Sequence, residues 1–157
     1  MFREYFKPYL AALLISCALY LVSCVLPATQ DWRSTNLGAG GDEHYVIEDG
    51  WRCLVVGWMF VPNAIEKGSF GMLAWLANPV ALIGAILLLF RRPTGATALG
   101  AASIVLGALY VFVPPGSPDH PDVPQVGAVL WVCSFIALTV AALIRRSGTV
   151  RADGGSM

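Results

Sequence analysis

Few side chains in this 157-residue sequence could carry chemistry, and their spacing narrows what that chemistry would be. His44 follows Asp42-Glu43, and His120 sits within Ser117-Pro118-Asp119-His120-Pro121-Asp122. If the two loops met, two imidazoles and several carboxylates would suit a divalent metal such as zinc. Solvated loops whose paths are fixed by proline account for the same residues without an ion. The cysteines at 17, 24, 53 and 133 include no CxxC pair, which argues against a helical membrane thiol oxidoreductase. A structural disulfide between Cys24 and Cys53 stays open, whereas Cys17 and Cys133 read as small apolar packing residues. No nucleophile elbow, glycine-rich phosphate loop or HExxH occurs, so the expectation is a non-enzymatic protein without a cofactor.

Asn78-Pro79 is the most unusual polar feature, because it interrupts the middle of a 23-residue stretch without formal charge. Proline removes a backbone donor and clashes with the carbonyl four residues back, that of Trp75, so a kink and an under-satisfied carbonyl are expected. Asn78 adds two donors and an acceptor at that depth. One reading is helix glue, in which the amide bonds a neighbouring helix or the freed carbonyl. The other is a ligand site at a broken helix, with Trp75, Asn78 and Trp131 lining an outer-leaflet pocket.

The elements that must position these residues follow from composition. The chain is 57% hydrophobic and only 13% charged, with a mean hydropathy of +0.67, far from the roughly 25% charged content of soluble domains. Four intervals lack any charge: residues 8–30, 68–90, 93–118 and 123–144. Each is long enough for the roughly 20 helical residues that cross a hydrocarbon core. The expected fold is therefore all-α, an integral membrane bundle of four transmembrane helices at about 9–26, 68–90, 97–113 and 125–144. Residues 1–146 form this single domain, and 147–157 a flexible cytoplasmic tail. Between the first two spans, residues 27–50 read as a polar outer loop. The apolar stretch near 51–62 is too short to span and reads as an interfacial or re-entrant outer helix; a thinned fifth span is the competing reading. Leu21-Val22-Ser23-Cys24 looks like a lipoprotein cleavage box, but the preceding apolar run exceeds a signal-peptide core, and a retained helix is expected.

Charge sorts the two sides. With four spans, Arg3, Lys7, Arg91, Arg92, Arg145, Arg146 and Arg151 fall with both termini, against three basic residues opposite. Basic loops stay cytoplasmic, so both termini are expected inside. Net charge zero offers no basic footprint for nucleic acid. The five tryptophans all fall toward the outer side, as an aromatic belt would. Packing is expected through small residues: Ala96, Gly100, Ser103 and Gly107 share one face of the third span, and Ala77, Ala81, Ala85 and Gly84 supply a matching face on the second.

The stretches Gly50-Trp51-Arg52-Cys53-Leu54, Trp75-Leu76-Ala77-Asn78-Pro79 and Leu130-Trp131-Val132-Cys133-Ser134-Phe135 resemble small bacterial inner-membrane proteins that carry a WLANP-like segment and have no assigned activity. The resemblance implies a compact four-helix protein of a bacterial cytoplasmic membrane and brings no catalytic residues. Three functional expectations remain. The first is a contact protein, meaning an accessory subunit, scaffold or immunity-type partner of another membrane protein or of a second copy. The second is a small-molecule or lipid binder using Trp75, Asn78 and Trp131. The third is a metal-responsive outer site on His44 and His120.

Overall fold

A computed structural model describes residues 8–34, 43–60, 62, 70–113 and 122–154. Helix α1, Pro8–Val25, starts on a proline, whose missing N–H is not needed in a first turn. It stops before Pro27, which disfavours a helical residue ahead of it.

The next segment departs from the expected polar loop and from an all-α fold. Strand β1, Pro27–Ser34, pairs antiparallel with β2, Glu43–Asp49, with Gln30 opposite Ile47 and Trp32 opposite Tyr45. A short strand β3, Val123–Pro124, adds to the other edge of β1, giving the order β2-β1-β3. Tyr45-Val46-Ile47 is an aromatic and β-branched run that favours a pleated surface. Pro124, which cannot donate to a ladder, sits on an edge strand, where that is tolerated. The fold is thus mostly helical, with a small sheet capping one end.

Helix α2, Gly50–Val56, follows β2 directly and leads into a 3-10 turn, Gly57–Phe60. Seven residues rise only about 10 Å, so this element does not cross a membrane and the fifth-span reading is not realised. Its start lies against the end of α1: the Gly50 amide donates to the Leu26 carbonyl at 3.0 Å. A side chain at Gly50 would strike the Ser23 carbonyl. Trp51, Val55, Trp58 and Met59 are exposed, an apolar face suited to an interface.

The second expected span is split. Phe70–Leu76 winds as a 3-10 helix and passes into α3, Ala77–Leu89. Pro79 is the third residue of α3, so the expected mid-span kink appears instead as a change of helix type. Its missing donor falls in a first turn, where no intrahelical partner is required. Arg91, with φ 60, closes α3 in the left-handed region. The Arg91 and Arg92 amides donate to the carbonyls of Leu88 and Leu87, the pattern that usually recruits glycine. Helix α4, Pro93–Phe112, begins at once. Helix α5, Val126–Gly154, continues past Arg145-Arg146, where a tail from 147 was expected. Among the described residues, three helical stretches are long and apolar enough to cross a membrane: Pro8–Val25, Pro93–Phe112 and Val126–Ser147; Leu73–Leu89 is a shorter apolar one.

Helix α5 is central, packing on α1 along one side and α4 along the other, while α3 packs mainly on α4. The small face of α4 is wedged between neighbours rather than meeting α3 alone. A Cβ on Gly84 of α3 would lie 3.3 Å from the Leu99 side chain, whereas Gly107 faces Val132 and Phe135 of α5. Gly100 faces Thr139 of α5 with no room for a side chain. Buried Ser103 and Ser134 and half-buried Thr139 donate to carbonyls within their own helices, Leu99, Trp131 and Phe135, so none of these three hydroxyls is stranded. Close packing of this kind is what associates helices where lipid is as apolar as leucine. Gly100→Leu is expected to destabilise by about 2 kcal/mol, within the overpacking range. Val105→Leu, at a 65% exposed position, should change stability by less than about 0.5 kcal/mol. Denaturation in mixed micelles reads both.

Candidate functional site

Because α1 rides on α5 and α3 rides on α4, a gap remains between α1 and α3. It is a cleft of about 620 Å³, within the roughly 300–1,000 Å³ range of small-molecule sites. Helix α1 supplies one wall with Leu13, Cys17 and Tyr20, and α3 the other with Asn78, Leu82 and Ala85. Ser134, Phe135 and Leu138 of α5 form its back, and Leu54 and Trp75 lie at the sheet end. Leu21 and Leu82, 67% and 62% exposed, form the rim and show that the cleft opens sideways between the two helices.

Polar groups are few. Tyr20 of α1 donates its hydroxyl proton to Asn78 Oδ1 at 3.0 Å, and Trp131 of α5 donates Nε1–H to the same oxygen at 2.8 Å. Indole can only donate, so the Trp131 bond fixes which end of the carboxamide is oxygen. The two N–H groups of Asn78 Nδ2 have no acceptor among the described residues, and Nδ2 is not a buried atom. The wall of the cleft thus carries a carboxamide whose oxygen is held from two helices. Ser16 donates to the Ser134 carbonyl at 2.7 Å, a second bond between α1 and α5.

The structure therefore joins Asn78 and Trp131 directly, while Trp75 turns toward the sheet end and donates Nε1–H to the Leu54 carbonyl at 2.8 Å. Trp75 and Asn78 line the cleft; Trp131 stands behind, edge-on to Phe135 with ring centroids 5.1 Å apart. Tyr20 was missed, although Ser16, Tyr20 and Ser23 recur at steps of four and three. That is a polar stripe on one face of an otherwise apolar helix. The opposite end was missed as well. Arg145 donates to the Leu88 carbonyl at the end of α3 and lies 4.4 Å from the Tyr9 ring centroid on α1, bridging the two walls at their base.

The remaining candidates do not converge on a site. His44 lies in β2 opposite Arg33; its side chain and the whole of His120 fall outside the described residues. No group of three or more metal-ligating side chains occurs among the described residues. Cys24 and Cys53 are free thiols. Burial, and then the charges of Glu48 and Asp122, push the Cys53 thiol up to about 11.

Comparison of the chain with protein families, with curated proteins and with solved structures finds no match.

Two outcomes follow. Trp131→Phe keeps the ring but removes one donor, and should lose about 1 kcal/mol of stability in micelles. In an Asn78→Leu background the same change should add little, as a double-mutant cycle would read. The upward shift of Cys53 from 9.0 to about 11 lowers its thiolate fraction at neutral pH. Maleimide labelling of Cys53 in the folded protein should therefore be about 100-fold slower than in the unfolded chain, with rates rising toward pH 11. Peptide-resolved mass spectrometry follows it.

Proposed function

We propose that this chain is a non-enzymatic, multi-pass protein of a bacterial cytoplasmic membrane that holds an apolar, chain-bearing amphiphile in the cleft between α1 and α3. The carrying observation is the cleft itself: apolar walls, a sideways opening, and a small set of convergent polar groups at Asn78. Four crossings fit the geometry. The composite of 3-10 helix and α3, Phe70–Leu89, extends about 33 Å at the usual rises, comparable with the hydrocarbon thickness. Arg91, Arg92, Arg145 and Arg146 gather at one end of the helices, which supports a cytoplasmic placement of that end and of both termini. The WLANP-like segment adds to the bacterial assignment, and it supplies Asn78. The exposed Trp51, Val55, Trp58 and Met59 face favours a second reading, a contact surface for a membrane partner at the sheet end, with an accessory or scaffold role.

Native mass spectrometry of the protein in mild detergent with added phospholipid tests the binder. A saturable one-lipid adduct is expected, and Ala85→Phe, which fills the cleft, should remove it. Non-saturable lipid attachment, unaffected by Ala85→Phe, would overturn the reading.

A further inference from the structure

Arginine crowds the end of the helices away from the sheet. Arg145 of α5 donates Nη1–H to the Leu88 carbonyl, and the Arg91 amide donates to the same oxygen at 3.2 Å. Arg92 follows directly, with its amide on the Leu87 carbonyl at 2.8 Å. Three arginines therefore meet at the C-terminus of α3, whose macrodipole offsets only about half a charge. The side chains of Arg91 and Arg92 are exposed, and neither they nor Arg145 have a carboxylate partner among the described residues. Asp31, Glu43, Glu48, Asp49 and Asp122 belong to the sheet end, about 28 Å along α5 from Arg145. Asp153 lies about 12 Å beyond Arg145 on the same helix.

Arg145 differs from Arg91 and Arg92 in being held. Its guanidinium lies over the Tyr9 ring, 4.4 Å from the centroid, and the residue is half-buried. A carbonyl at one corner and a ring on one face fix the plane, yet most of its N–H donors stay unclaimed among the described residues. A planar fork of this kind matches two oxygens of a phosphate. Depth selects the source of that phosphate. Tyr9 is the second residue of α1, Leu88 the last but one of α3, and Arg145 stands near the end of the apolar stretch Val126–Ser147. All three helices thus reach their apolar limit at this level, which is where the headgroup zone begins in a bilayer they cross.

We infer that Arg145, flanked by Arg91 and Arg92, forms a site for the phosphate of an anionic phospholipid in the leaflet at this end of the helices. The site is separate from the cleft: Arg145 does not line it, and Leu138, the cleft residue of α5 nearest to Arg145, is about 10 Å away along the helix. A choline phospholipid carries the same phosphate, but its own cation opposes the excess of arginine, so selection follows net charge.

The test is native mass spectrometry of the full chain in detergent, with dioleoyl phosphatidylglycerol or dioleoyl phosphatidylcholine added. The unaltered protein should take up two glycerol lipids saturably, one in the cleft and one at the arginines, but only one choline lipid. Ala85→Phe, which fills the cleft, isolates the arginine site: one glycerol lipid should remain, favoured over the choline lipid about tenfold, as one or two juxtamembrane arginines would confer. Arg145→Gln in that background should weaken the remaining adduct about tenfold. Should Arg145→Gln fail to fold, Arg91→Gln with Arg92→Gln, at exposed side chains, serves in its place with the same expectation. Equal uptake of the two lipids overturns the inference, as does a glycerol-lipid adduct unchanged in whichever arginine variant folds. Loss of every adduct on Ala85→Phe also overturns it, while leaving the cleft as a binding site. A choline-lipid adduct that survives Ala85→Phe undiminished counts against the cleft and, by removing the preference for net charge, against the arginine site as well. Inorganic phosphate at the same concentration should leave the melting temperature unmoved; a rise equal to that given by the glycerol lipid would assign the arginines to a free anion and sink the inference.

Discussion

A single oxygen atom, Oδ1 of Asn78, holds three helices in register. It takes one hydrogen bond from α1 through Tyr20 and another from α5 through Trp131, while its own backbone belongs to the first turn of α3. In water such bonds would compete with solvent; in hydrocarbon no solvent partner is at hand, so releasing Asn78 would strand donors on two helices. Pro79 next to it fixes where α3 can begin, because the chain before it cannot supply a regular α-helical bond at that point. The amide and the proline together set both the height of the site and the change from 3-10 to α-helix.

The cleft is a by-product of unequal packing. Helix α4 presents Ala96, Gly100, Ser103 and Gly107, all buried, and draws α3 and α5 close enough for their backbones to approach. Helix α1 has no comparable glycine face. It meets α5 through a bond from Ser16 to the Ser134 carbonyl, and among the described residues its polar links toward α3 lie near its two ends, through Tyr20 above and the Tyr9 and Arg145 contact below. Two tight interfaces and one spanned at its ends leave an opening between α1 and α3.

Much of this was legible in the residues, and the exceptions are instructive. Uncharged runs located the helices to within a few positions, because the exclusion of charge from lipid is a strong constraint. The small-residue faces were visible from spacing, but periodicity cannot say which neighbour a face meets, and Gly100 and Gly107 turned out to look toward α5. Asn78 and Trp131 were identifiable as candidates from type and depth, whereas Tyr20 was overlooked within an apolar run despite its spacing from Ser16. The sheet was not foreseen: Gly38, Gly40 and Gly41 between its first two strands drew attention to a loop, and β3 pairs with β1 across more than 90 residues of chain, a long-range contact that no local pattern encodes.

Leu54 of α2 and Trp75 stand at one end of the cleft and its exposed rim lies between α1 and α3, so a ligand of the proposed site would enter there. A molecule arriving by that route is already dissolved in the bilayer, and its effective supply is its mole fraction there, not its aqueous molarity. Occupancy would then follow the composition of the surrounding leaflet and be nearly indifferent to dilution of the cells or vesicles that carry it. Even a weak intrinsic preference would suffice to keep such a site filled.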